Sequence, residues 1–129
     1  MSKTVLITGA STGFGRDTAE TLACAGHTVF ASMRNLQAQN RDHAQALREK
    51  GIEVVELDVS SDTSVERAVQ EVLAHAHRVD VLVNNAGIAS AGVTEAFTPD
   101  QAKVVFNTNV VGLLRTSRSV LPAMRRGAH

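Results

Sequence analysis

Apolar positions along this chain change period several times, and each change marks an element boundary. Residues 3–8, Lys-Thr-Val-Leu-Ile-Thr, are a short run rich in β-branched residues that stops at a glycine cluster, which predicts a buried strand ending in a turn. From Phe14 the spacing becomes four, four and three through Thr18, Leu22 and Ala25, one face of a helix that Gly26 closes. Residues 28–33 read as a second strand, 38–50 as a weakly amphipathic helix ended by Gly51, and 52–57 as a third strand. Ser61 or Asp62 can cap a helix with the face Val65, Val69, Val72 and Ala76, and Val79 to Val83 form a fourth strand. After a Gly/Ala/Ser-containing loop at 85–98, Pro99 and Asp100 open a helical stretch to Arg126, with Val104, Val111, Leu114 and Leu121 among its apolar positions.

Strand and helix therefore alternate with short connections, which implies parallel strands joined by right-handed crossovers and helices on both faces. The expected fold class is α/β, a doubly wound parallel sheet, incomplete at about four strands. No linker, repeat or low-complexity tract divides residues 1–129, so a single domain is expected. A sheet ending at its fourth strand leaves the largely apolar run Val79 to Val83 on an edge, with Asp80 its single charge and no proline to discourage pairing. Together with the apolar positions of the last helix, that edge predicts a homo-oligomer.

Composition narrows the function classes. With 43% hydrophobic and 20% charged residues, the chain can fold. Thirteen basic and thirteen acidic residues cancel, so no global field favours nucleic acid or an anionic membrane, and neither is an expected partner. No apolar run approaches the ~20 residues of a membrane span, and the N-terminus enters a strand pattern without a signal core, so the expected location is cytoplasmic. Cys24 is the single cysteine, which excludes an intramolecular disulfide or thiolate cluster; it is expected to pack as a small apolar residue. His75 and His77, two apart on a predicted helix, point in different directions and are expected to be solvated; no metal site is expected.

The chemistry lies in the run Thr8-Gly9-Ala10-Ser11-Thr12-Gly13-Phe14-Gly15, placed between a strand and a helix. Glycines there allow a tight turn and close backbone approach, while N–H dipoles at the helix start favour the charge of a pyrophosphate. Ser11 has no evident His and Asp partners for nucleophilic work, so phosphate contact is its better role. Three further segments follow in order: Asp58-Val59 after the third strand, Asn84-Asn85-Ala86-Gly87 after the fourth, and Asn107-Thr108-Asn109-Val110-Val111-Gly112 on the last helix. With these motifs the chain resembles the short-chain dehydrogenase/reductase family of Rossmann-fold oxidoreductases, whose TGxxxGxG loop is matched by Thr8, Gly9, Gly13 and Gly15.

The resemblance implies a dinucleotide-binding, Rossmann-like domain with cofactor contacts at Thr8, Gly9, Ser11, Thr12, Gly13, Phe14 and Gly15. It also implies that Asp58 and Val59 lie beside the adenine, that Asn85, Ala86 and Gly87 line the site, and that Asn109 is the active-site asparagine. Cofactor choice is read at the end of the second strand, where an acid would accept from a ribose 2′-OH and repel a 2′-phosphate. Ala31-Ser32-Met33-Arg34 has no acid; Arg34 can contact that phosphate and Ser32 leaves room. NADP(H) is the expected cofactor, with NAD as the alternative.

In the family the proton moves through a Tyr, a phenol of intrinsic pKa near ~10 that positive charge shifts toward working pH. This chain contains no Tyr, and Lys3, Lys50 and Lys103 match no catalytic position of the family. Asn109 is the member of the family's tetrad that carries over, and an amide is not a proton donor of suitable pKa. The expectation is the cofactor-binding N-terminal part of an NADP-dependent oxidoreductase, cut before the Tyr-x-x-x-Lys motif. On that reading the chain holds a nicotinamide dinucleotide, and an alcohol or carbonyl substrate binds only in the longer parent; whether the chain alone is an enzyme stays open. The alternative is a stand-alone, non-catalytic nucleotide-binding or interaction module.

Overall fold

The computed structural model of the chain describes residues 1–127. Four parallel strands form its sheet: β1 (Thr4–Ile7), β2 (Thr28–Met33), β3 (Glu53–Glu56) and β4 (Val81–Val83), in the order β3-β2-β1-β4. The predicted α/β class and the parallel sheet are both observed. Register is set by Thr4 opposite Thr28, Val5 opposite Val81 and Phe30 opposite Glu53.

Successive strand residues point to opposite faces, and this splits the core in two. Val5, Ile7, Val29, Ala31 and Met33 face α1 (Gly13–Cys24) and α2 (Arg41–Glu49), where they meet Ala19, Ala44 and Leu47. Leu6, Phe30 and Val55 face α3 (Asp62–Ala76), packing with Val65, Val69, Val72 and Val120. Strands covered on both faces read as continuous apolar runs, as β1 does. The chain therefore winds one way through β1, β2 and β3, then crosses back over the other face to place β4 beside β1. That reversal leaves a crevice at the carboxyl ends of β1 and β4.

Three local expectations need correction. The first helix turns Gly15 and Ala19 inward, whereas Phe14, assigned to its buried face, is 85% exposed, because the inward row of the helix starts at Gly15 and leaves the preceding position on the open side. Cys24 is exposed in the last turn of α1 instead of packed. His77 does not continue α3 but ends it in a left-handed conformation, φ 64°, donating its N–H to the Leu73 carbonyl at 2.9 Å.

The long C-terminal helix departs most. Pro99–Phe106 (α4) and Gly112–Gly127 (α5) are joined by a π-helical segment, Asn107–Val111. A π segment adds a residue to the turn, which rotates everything after it relative to a 3.6-residue pattern. In α5 the buried row is Gly112, Thr116 and Val120, while Leu114 and Leu121 are exposed, as is Val104 on α4 ahead of the π segment. Small residues make this possible: a Cβ at Gly112 would lie 2.8 Å from Val59 Cγ2.

Candidate functional site

Thr8 closes the two loops at the crevice onto each other. Its N–H continues the sheet to the Val83 carbonyl at 3.0 Å. Its hydroxyl oxygen accepts from the N–H groups of Asn85 and Ala86, both at 3.0 Å. The Asn85 side-chain amide returns the contact by donating to the Gly9 carbonyl at 2.9 Å. Gly9 has φ 63°, and a Cβ there would sit 2.7 Å from Ala86 Cα. Gly15 lies under the same junction, where a Cβ would be 2.4 Å from the Gly9 carbonyl oxygen. These two glycines fill a close backbone approach that no larger residue fits.

Ser32 supports the loop from below. It is fully buried, its hydroxyl donates to the Ile7 carbonyl at 2.9 Å, and its own carbonyl accepts from Ala10 N–H at 2.9 Å. At the open end, α1 begins after Thr12 with no side-chain cap and no acidic residue in its first turn. Its leading N–H groups are thus left to the crevice, where the helix dipole favours an anion.

Between these loops lies a cleft of about 370 Å³. Gly9, Ser11, Thr12 and Phe14 form the side built by the glycine loop; Arg34, Asp58 and Val59 lie toward the ends of β2 and β3; Asn85, Ala86 and Gly87 form the opposite wall. Of the residues expected at a cofactor site, Thr8, Gly13, Gly15 and Ser32 do not line the cleft, and the first, third and fourth build its floor from behind. Asn109 stands beside it. The Asn109 side-chain Oδ1 accepts from Ile88 N–H at 2.8 Å while the side-chain Nδ2 donates to the Ile88 carbonyl at 2.7 Å. That two-point clasp ties the π-helical segment to the loop after β4.

Asp58 is partly buried, which opposes its charged form. Hydrogen bonds from the Ser60 N–H at 2.9 Å and hydroxyl at 2.6 Å outweigh that cost, aided by the charges of Arg34 and Arg115, and hold its pKa below the ordinary value. Its N–H is tied to the Ser64 hydroxyl at 2.8 Å. The Arg34 side chain is exposed at the rim and, among the described residues, has no hydrogen-bond or ion-pair partner.

Sequence reading missed several residues of the site. Gln39, Asn40, Ile88 and Thr108 also line the cleft, and Arg115 braces it. Arg115 donates to the Val59 carbonyl at 3.0 Å, to Asn107 Oδ1 at 2.7 Å and to Asp62 at 2.7 Å, joining the end of β3 to the π-helical segment. Thr108 lies inside the quoted Asn107–Gly112 segment and Ile88 directly follows Asn84–Gly87, so both were within one residue of a motif, whereas Gln39, Asn40 and Arg115 carry no signal beyond polar sequence of an ordinary kind.

Comparison with known proteins agrees with this geometry. The family profile described as short chain dehydrogenase matches residues 3–129. The chain is 36% identical over 122 residues to 3-ketodihydrosphingosine reductase of Bacteroides thetaiotaomicron, covering 95% of this chain and 42% of that protein. It is 40% identical over 126 residues to acetoacetyl-CoA reductase of Shinella zoogloeoides, covering 97% and 51%. Among solved structures, an NADPH-bound carbonyl reductase from chicken fatty liver superposes with a TM-score of 0.91 at 29% identity, covering 98% of this chain and 53% of that one. An actinorhodin polyketide ketoreductase variant with NADPH gives 0.87 at 35% identity, covering 98% and 50%. The chain thus spans about half the length of the proteins it matches.

Proposed function

This chain belongs to the short chain dehydrogenase family, and on that premise we propose that it forms the cofactor-binding part of an oxidoreductase that uses NADP(H) to interconvert alcohols and carbonyls. The observation that carries the reading is the cleft at the sheet's reversal point, with an uncapped helix N-terminus at one end and an unpaired arginine at the other.

The residues present fit a nicotinamide dinucleotide. Gly9 and Gly15 leave the backbone close enough to cradle a pyrophosphate, and the free N–H groups at the start of α1 bind it together with the Ser11 and Thr12 hydroxyls, which have no partner among the described residues. Gly13, with φ 62°, sets the turn into the helix. Phe14, at the lip of the cleft, would cover the bound nucleotide, Asp58 and Val59 would flank its adenine, and Asn85, Ala86 and Gly87 would form the wall beyond it. Arg34 holds the 2′-phosphate, with Ser32 shaping the strand end beneath it; NAD would leave that guanidinium unused.

When bound, the nicotinamide supplies the hydride acceptor or donor. Asn109 orients the loop after β4 through Ile88 and so fixes the wall facing that ring. None of the 129 residues is Tyr; a proton-transfer Tyr and Lys, and the alcohol or carbonyl site, would belong to a longer protein of which this chain is a part. The exposed Val104, Phe106, Val110, Leu114 and Leu121 on the long helix support association with a second copy. Among the described residues no helix is long and apolar enough to cross a membrane.

Calorimetric titration with NADPH and NADH tests the cofactor assignment. A charge-assisted contact with the 2′-phosphate is worth about 1.5–3 kcal/mol, so Arg34→Ala should weaken NADPH binding roughly 10- to 100-fold and leave NADH binding nearly unchanged. Equal affinity of the unaltered chain for both nucleotides would overturn the NADP assignment.

A further inference from the structure

Arg34 belongs to a loop, residues 34–40, that is held far more tightly than its exposure suggests. Asn35 occupies left-handed backbone at φ 52°, a conformation that asparagine tolerates better than most residues. Its carbonyl accepts from both Ala38 N–H at 3.1 Å and Asn40 N–H at 3.2 Å, which winds the loop into a compact turn. Asn40, at the start of α2, does not cap its helix with its side chain. Instead its side-chain amide donates to the carbonyl of Arg34 itself. Two residues after Arg34, the Leu36 N–H donates to the Glu56 carboxylate on β3 at 3.2 Å.

The backbone around Arg34 is thus pinned from two independent elements, while its guanidinium is left without a partner among the described residues. An asparagine at a helix start gains about as much from capping its own helix as from an ordinary hydrogen bond. Capping would use the Asn40 side-chain oxygen, which makes no such bond; the donor end of the same amide goes to the carbonyl that carries the base of the cationic side chain. Gln39 and Asn40 also line the cleft beside Arg34, so the turn forms a rim that carries the charge at a set position.

We infer that Asn40 is a positioning residue for Arg34: its amide, with Glu56 as the second anchor, holds the loop so that the guanidinium meets a 2′-phosphate, and it thereby sets discrimination between 2′-phosphorylated and plain adenosine nucleotides. This rests on the reading of Arg34 as the 2′-phosphate ligand. Pre-organisation of this kind acts by removing the ordering cost that a free loop would incur on binding.

The test titrates the full chain with adenosine 2′,5′-bisphosphate and with 5′-AMP, and reads the ratio of the two affinities. Loss of one net hydrogen bond corresponds to roughly five-fold, so Asn40→Ala should lower the preference for the bisphosphate by about that factor. Glu56→Ala should lower it in the same direction without touching Asn40. In the Arg34→Ala background, Asn40→Ala should change the ratio no further, because the group it positions is gone. An unchanged ratio in both single variants overturns the inference, as does an equal loss for both nucleotides, which would mark Asn40 as structural only. A ratio that Arg34→Ala itself leaves intact refutes the parent reading of Arg34 and the inference with it.

Discussion

Gly9→Ala and Gly13→Ala separate two costs that a glycine loop ordinarily combines. Both positions have nearly the same backbone, φ 63° and 62°, and left-handed geometry costs an L-residue about 1–2 kcal/mol. That penalty is common to the two variants. Their surroundings are not: a Cβ on Gly13 meets nothing within 4 Å, whereas one on Gly9 falls 2.7 Å from Ala86 Cα and 3.1 Å from Ala86 N. Ala86 cannot yield cheaply, because its N–H is bound by Thr8 and the Gly9 carbonyl is bound by Asn85. Relief requires parting the two loops that those bonds close. Overpacking of this kind adds roughly 1–3 kcal/mol, so Gly9→Ala should lose about 2–5 kcal/mol and Gly13→Ala about 1–2 kcal/mol. Urea unfolding followed by far-UV circular dichroism reads both, provided the slope with denaturant is the same for the two variants. Equal losses, or a larger loss at Gly13, would refute the claim that contact with Ala86 governs this loop.

Two further perturbations follow from the same structure. Asp80 accepts from the Arg78 guanidinium and from Thr4 N–H at 2.7 Å, and these bonds lower its pKa; its stabilising effect is complete above the unfolded value near ~4 and is lost as pH falls through the folded value. Chemical denaturation at a series of pH values should therefore show Asp80→Asn less stable than the unaltered chain at neutral pH, with the gap narrowing in acid; a gap that widens in acid contradicts the sign. Asn109→Leu removes both partners of Ile88 at similar side-chain volume, and a partly buried peptide left unsatisfied costs about 1–3 kcal/mol. Hydrogen exchange at Ile88 should accelerate by roughly ten-fold or more while the amides of β1 stay protected, and unchanged exchange at Ile88 would dismiss the clasp.

Legibility in the sequence followed the reach of the interactions involved. The second strand was read with its observed limits, 28–33, because a β-branched run bounded by Gly26 and a polar loop is a local signal. The face Val65, Val69 and Val72 was read correctly because α3 keeps one period from end to end. The glycine loop and Asn84–Gly87 were placed as motifs, and both lie at the cleft. Failures occurred where a distant segment decides. No local pattern says that Val59 lies against residue 112, yet that contact is what turns Gly112, Thr116 and Val120 inward and leaves Leu114 and Leu121 outside. Their i, i+4 spacing, with two small members, was a readable sign that larger neighbours concealed. The expected role of Ser32 at the cofactor likewise gave no hint that its hydroxyl would be used by the Ile7 carbonyl.

That last case divides the motif residues by what their polar atoms are already doing. Thr8, Ser32, Asn85 and Asn109 have their side-chain groups engaged with backbone of neighbouring loops. Ser11, Thr12 and Arg34 have theirs free among the described residues while lining the same cleft. A free polar group facing a cleft can take a ligand without giving up an existing bond, whereas an engaged one must first lose about 0.5–1.5 kcal/mol of folded-state stabilisation. Substitutions in the first set should therefore reduce stability and nucleotide binding together, through the shape of the loops. Substitutions in the second set should act mainly on binding, because among the described residues no hydrogen bond depends on those atoms; Arg34 adds only the long-range charge that helps to lower the Asp58 pKa. A motif shared across a family mixes both kinds, and only the hydrogen-bond partners of each residue separate the groups that build the cleft from the groups that are left to fill it.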